Sequence, residues 1–120
     1  MHGTITRGQQ AEDMACDYLQ ARGLQLLMRN YRCVRGEIDL IMKDGASIVF
    51  VEVRYRNSQR FGGGAASVDR QKQQKLIATA LHYLQQNRAA AKCPARFDVV
   101  AIAPDANSAK IDWIPDAFQA

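Results

Sequence analysis

Residues 36–56 read GEIDLIMKDGASIVFVEVRYR, and the fold turns on their pattern. Ile38, Leu40 and Met42 alternate with Glu37, Asp39 and Ile41, which predicts a strand with both acids on one face. Asp44-Gly45 marks a tight hairpin, because glycine reaches positive φ without steric cost. Ser47 to Arg56 is rich in Val, Ile and Phe and predicts the returning strand. Glu52 interrupts that apolar run, and Arg54, two residues on, points to the same side. Two paired strands would therefore gather Asp39, Glu52 and Arg54 into one cluster. A hairpin with only a folding role would carry valine or threonine there.

Upstream, Ala11, Met14, Ala15, Tyr18 and Leu19 recur at helical spacing and predict a helix over residues 7–22. Thr4 or Thr6 is placed to cap its start, and Gly23 suits the position past its end. Glu12 lies beside Ala11 and in line with Ala15 and Leu19, at the edge of the buried stripe. The helix dipole alone would also favour an acid in this first turn. Residues 24–32 predict a strand with Leu24, Leu26 and Met28 opposing Gln25, Leu27 and Arg29. Cys33 to Arg35 turn into the hairpin, so three strands can form a meander.

Downstream, residues 57–67 (NSQRFGGGAAS) have no periodicity. They are a connector or a lid whose glycines approach a ligand; they are not a P-loop, because GK[ST] is absent. Residues 68–87 predict the longest helix, with Val68, Leu76, Ile77, Ala80, Leu81 and Leu84 as its apolar stripe. Lys72 falls on the same line and must snorkel out or meet a carboxylate. His82 and Tyr83 flank the stripe as packing residues. Residues 89–94 read as a loop, RFDVVAIA (96–103) as an apolar strand, and 109–114 as a short terminal strand. Strand, helix, strand in that order favours a parallel crossover beside the meander. Asp98 is placed to cap or to pair with an arginine.

The 120 residues suit a single domain spanning 1–120, and 48% apolar residues can fill its core. No apolar run approaches the roughly eighteen residues of a membrane span, and MHGTITRGQQ lacks a signal-peptide core, so a cytoplasmic protein without membrane attachment is expected. Cys16, Cys33 and Cys93 form no CxxC pair and no zinc spacing with His2 or His82, so reduced thiols are expected. The net charge of +4 is unevenly spread. Arg22, Arg29, Arg32 and Arg35 precede the hairpin, and Arg54, Arg56, Arg60, Arg70, Lys72 and Lys75 follow its acids. Basic segments flanking carboxylates suit a polyanion held by its phosphates, although a solvated surface has the same composition.

Carboxylates a few ångströms apart repel, and a hard divalent cation is their natural neutraliser. Magnesium keeps several waters, so Asp39 and Glu52, with Glu12 as a third, would suffice. A metal so held polarises a phosphodiester and lowers the pKa of bound water, and Arg54 is placed to steady charge on phosphate. The alternative is a pair of salt bridges, Glu52 with an arginine of the first strand and Asp39 with Lys72.

GEIDLIMKDG, VFVEVRYR, VDRQKQQKL and RFDVVAI together resemble the YraN-type family of bacterial proteins, from the first helix to about residue 102. That family is similar to archaeal Holliday-junction resolvases and to restriction-endonuclease-like nucleases. The resemblance implies an α/β fold with an αβββαβ core, a central mixed sheet flanked by helices. It implies Mg2+ or Mn2+ at Asp39 and Glu52, with Glu12 matching an acid that resolvases supply from their first helix. Arg54 stands where the superfamily has lysine; it keeps the charge and not the proton chemistry, and Lys72 is a candidate to supply the amine. Asp39, Glu52, Arg54 and Lys72 are thus the implied catalytic residues. Arg32, Arg35, Arg56, Arg60, Arg70 and Lys75 are the basic residues expected to bind nucleic acid, with DNA the expected partner. A two-fold dimer is implied by the symmetry of a junction. The first expectation is a metal-dependent endonuclease acting on structured or branched DNA. The alternatives are a non-catalytic nucleic-acid-binding module on the same fold, and a protein-interaction domain whose acids only form salt bridges.

Overall fold

Five strands in the order β1-β2-β3-β4-β5 form one sheet with a helix packed on each face. The computed structural model describes residues 7–55, 68–105 and 108–120. The elements run α1 (Arg7–Ala21), β1 (Gln25–Cys33), β2 (Gly36–Asp44), β3 (Ser47–Tyr55), α2 (Arg70–Gln86), α3 (Arg88–Ala91), β4 (Ala95–Asp105) and β5 (Ser108–Phe118). β1, β2 and β3 are the antiparallel meander, β4 joins β3 in parallel, and β5 returns antiparallel. This is the α/β, αβββαβ-like core that the sequence implies, extended by β5. No helix among the described residues is long and apolar enough to cross a membrane.

The local chemistry accounts for the boundaries. Gly23, at φ +98, ends α1; its N–H donates to Gln20 and that of Leu24 to Leu19, both at the backbone carbonyl. Leu24 then packs with Leu19 in the core, completing a Schellman end. The candidate caps Thr4 and Thr6 lie outside the described residues. α2 is capped by Asp69, whose Oδ1 accepts from the Lys72 N–H at 2.8 Å. Gly45, at φ +59, makes the β2–β3 turn. Residues 89–94 are not simply a loop: α3 occupies Arg88–Ala91, where the alanine run favours helix.

α1 buries Ala11, Ala15 and Leu19 against Leu40, Met42, Val49, Val51, Val100 and Ile102. On the other face Leu76, Ala80 and Tyr83 of α2 meet Ile38, Ile41, Phe50, Phe97 and Val99. Each buried leucine, isoleucine, valine, methionine or phenylalanine among them contributes about 1.5–3 kcal/mol. The buried line of α2 runs through Thr79 and Tyr83, and Leu81, expected inside, is 54% exposed. Met28 is exposed too, because a bulge between Leu26 and Met28 breaks the alternation of β1.

Gly36 lets α2 approach the start of β2. It has φ +154, and a Cβ there would lie 3.1 Å from Thr79 Oγ1, whose hydroxyl already donates to the Lys75 carbonyl at 2.8 Å. Gly36→Ala should therefore cost about 1–3 kcal/mol, read as a lower urea midpoint. An unchanged midpoint would refute the close fit.

Candidate active site at the fork of the sheet

β2 and β3 pair from Asp44↔Ser47 to Leu40↔Val51, and their ladder stops there. Beyond that point β2 continues against β1 as far as Gly36, and β3 continues against β4 as far as Tyr55. The sheet forks, and Asp39 and Glu52 are the first residues past the last paired rung. Asp39 Oδ2 accepts from the Val53 N–H at 2.8 Å, tying the base of the fork with a side chain in place of a ladder bond.

A local distortion puts Asp39 there. Ile38 packs on the α2 side and Leu40 on the α1 side, although residues two apart in a regular strand share a face. The single-face expectation for Ile38, Leu40 and Met42, and with it that for Glu37 and Asp39, fails at this step. On β1, between the pairs Arg29↔Leu40 and Tyr31↔Ile38, sits Asn30 at φ +54. Asparagine tolerates this left-handed conformation, and both strands turn there together. With its amide nitrogen facing them, Asn30 donates to Glu12 Oε1 at 3.1 Å and to Glu37 Oε2 at 3.2 Å. Asn30 went unnoticed in the sequence; only its tolerance of positive φ could have flagged it.

Glu52 is buried, its side chain 6% exposed, on the α2 side. Arg54 Nη1 and Lys72 Nζ each lie 3.6 Å from Glu52 Oε2. Lys72 thus meets a carboxylate, and it is Glu52; Asp39 takes the Val53 N–H. Glu12, half-buried on α1, lies 3.5 Å from Arg29, which also holds Asp13 at 2.7 Å. Burial, and then the neighbouring Glu52, push the Asp39 carboxyl up to about 8; Glu12 adds to the rise and the Val53 N–H opposes it. Glu52 raises Asp39 through its charge and through a side-chain hydrogen bond.

Asp39 and Glu52 are the two oxygen donors at the fork that a hard divalent cation could use, since such an ion takes few protein ligands and keeps its waters, but Glu52 is already met by Arg54 and Lys72. Among the described residues no three His, Cys, Asp or Glu side chains form a complete cage, so Glu12 stands behind Arg29 and Asn30 and not as a formed third ligand. A polar recess of about 430 Å³ lined by Gly8, Gln9, Glu12, Asn30, Arg32 and Glu37 lies on the Glu12 side.

Of the basic residues, Arg70 and Lys75 are exposed on α2 near Lys72, and Arg32 and Arg35 are exposed at the β1–β2 hairpin. Arg32 Nε donates to Glu37 Oε2 at 3.0 Å. Arg56 and Arg60, and residues 57–67 with their glycines, lie outside the described residues. Asp98, fully buried, is a structural acid: it accepts from Arg96, Trp113 and the Asp116 N–H. The three cysteines are free.

Residues 11–102 match the model of the uncharacterised protein family UPF0102. The chain is similar to the UPF0102 protein of Nitrosococcus oceani, 54% identical over 94% of this chain and 91% of that one. It is 52% identical to the UPF0102 protein of Methylococcus capsulatus over 99% of this chain and 94% of that one. A UPF0102 protein of Legionella pneumophila is 49% identical over 98% of each chain.

Proposed function

The chain belongs to the UPF0102 family, the YraN-type family, and we propose that it is a divalent-metal-dependent endonuclease acting on structured or branched DNA. The observation that carries this reading is the buried pairing of Asp39 and Glu52 at the fork, with the Asp39 carboxyl raised to about 8. Burying two acids side by side costs folding free energy that an apolar pair would not.

Asp39 and Glu52 would hold Mg2+ or Mn2+, with Glu12 able to join through water. When bound, the ion neutralises the carboxylates, polarises a phosphodiester oxygen and lowers the pKa of its water. With an ion on Glu52, Lys72 and Arg54 would be placed to meet a phosphate. Arg54 offers a charged fork that holds phosphate oxygens, and Lys72 is the only amine of the pair, so any proton handling falls to it. Arg32, Arg35, Arg70 and Lys75 bind flanking phosphates, and Arg56 and Arg60 belong to the same proposal. A two-fold dimer would set two such sites on symmetric strands.

Four-way, flapped, single-stranded and linear DNA incubated with Mn2+ or with EDTA test the reading. Structured DNA should be cut only with metal. Glu52→Gln should lower the rate about a hundredfold while binding in EDTA persists, since even partners behind metal ligands are worth roughly ten- to a hundredfold. Cleavage in EDTA, or undiminished cleavage by the variant, would overturn it. The two cations already on Glu52 favour a second reading, a nucleic-acid-binding module without catalysis. Equal binding with and without metal, and no cleavage of any substrate, is its expected result.

A further inference from the structure

The turn between β1 and β2 carries a valine that nothing in the fold uses. Val34 is 99% exposed at the tip of a two-residue turn, with Arg32 and Arg35 exposed on either side of it. An aliphatic side chain in that position gains nothing from folding.

The turn is also braced. Tyr31, three residues before Val34, bonds through its hydroxyl to His82 Nδ1 at 2.5 Å and stands edge-on to Tyr83. Gly36, two residues after it, is pressed against Thr79 and Lys75 of α2. The Arg35 N–H donates to Cys33 Sγ across the turn at 3.4 Å, and Arg32 is tied to Glu37, its partner in register. An apolar tip held on both flanks by one helix can press on a partner without losing order.

The position of the tip says which partner. It stands at the end of β2 from which the fork opens: β2 begins at Gly36, two residues past Val34, and Asp39 is three residues further along the strand, about 10 Å from Gly36. Lys72 reaches Glu52, Lys75 lies one helical turn on against Gly36, and Arg32 and Arg35 continue to the tip. This line of cations runs from the acids to the valine, the complement of a phosphodiester strand. A smooth duplex offers the valine no apolar surface. A branch point does, because it exposes the face of a base pair, and apolar side chains are what proteins insert at such steps.

We propose that the Arg32–Val34–Arg35 tip is a wedge that seats Val34 on the exposed base pair at a nucleic-acid branch point, with the arginines on the flanking phosphates. This inference rests on the nucleic-acid reading of the fork and adds the element that selects branched over linear substrate.

The test is binding by the full-length protein in EDTA, so that cleavage plays no part. The probes are a labelled four-way junction, a linear duplex of the same sequence, and a junction with 2-aminopurine at the branch. Wild type should prefer the junction, and Val34→Ser should lower that preference about tenfold with linear affinity unchanged, by loss of one aliphatic contact. Val34→Phe should restore or exceed it. The 2-aminopurine signal should change with wild type and Val34→Phe, and not with Val34→Ser. An exposed position leaves the fold intact, and an unchanged melting temperature verifies that. A junction preference that survives Val34→Ser, or a signal indifferent to residue 34, overturns the wedge and leaves the nuclease reading standing. A residue-34-dependent preference without metal-dependent cleavage supports the wedge and removes the nuclease. Cross-linking from residue 34 to protein, with no affinity for any nucleic acid, overturns the wedge as well.

Discussion

Asp39→Asn should make the metal-free protein more stable than wild type at pH 8.5 and flatten the dependence of its stability on pH. An aspartate in the unfolded chain titrates near 3.9. In the folded protein burial and Glu52 raise Asp39 to about 8. Below pH 4 the carboxyl is protonated in both states and stability is fully present. Between 4 and 8 the folded state keeps a proton that the unfolded chain has released, so stability falls as the pH rises, and it levels off once the folded carboxyl ionises. The whole loss is on the order of 5 kcal/mol. Asparagine still offers an oxygen to the Val53 N–H, carries no charge and escapes the loss. Urea midpoints in EDTA at pH 5 and 8.5 measure this. A wild type no weaker at 8.5 than at 5 would refute the arrangement of the acids. Under the metal-binding proposal, Mn2+ at pH 8.5 should stabilise the wild type and leave Asp39→Asn unmoved, because the variant lacks one of the two carboxylates that would hold the ion.

Asp98→Ala should have the opposite sign and similar size. The Asp98 carboxylate is fully out of water and accepts four hydrogen bonds. Arg96 donates Nε at 3.0 Å and Nη2 at 3.3 Å, Trp113 Nε1 at 2.9 Å, and Asp116 its backbone N–H at 2.9 Å. Arg96 also holds Asp44 at 3.0 Å, so the group ties β4 to β5 and to the β2–β3 turn. Removing the acceptor leaves the Arg96 Nε, an indole N–H and a backbone amide without their partner, although Arg96 keeps Asp44, a loss of about 3–5 kcal/mol. The melting temperature should fall by more than about 10 °C. A variant within 1 kcal/mol of wild type would show that solvent reaches these donors. Asp98→Asn keeps one acceptor oxygen and should fall between the two.

The residues that set the strands were legible because their periods are regular. The meander, the parallel crossover and the two helices follow from alternation in 36–55, the stripe of α1 and the order strand, helix, strand. What the pattern could not carry was departure from regularity. Ile38 and Leu40 face opposite layers, Met28 faces out past a bulge, and Asn30 is left-handed; each depends on register against a neighbouring strand. The convergence of Glu52, Arg54 and Lys72 was readable, since spacing placed the first two together and the α2 stripe aimed the third. The tie of Asp39 to Val53 was not, because it exists only where the ladder ends. The pairing of Asp98 with an arginine was legible, and Arg96 supplies it; its other partners, Trp113 and Asp116, were not, because only the pairing of β4 with β5 brings them to it.

The parallel contact of β3 with β4 joins residues as far apart as Ile48 and Ala95, whereas β1, β2 and β3 are neighbours in sequence. Closing that long loop is the entropically slow event in assembling the chain. The hairpin that bears Asp39 and Glu52 can therefore form early, while water still reaches the Asp39 carboxyl. Desolvation comes only when α2 and β4 dock, so the late phase of refolding at neutral pH is also the moment at which the protein takes up a proton.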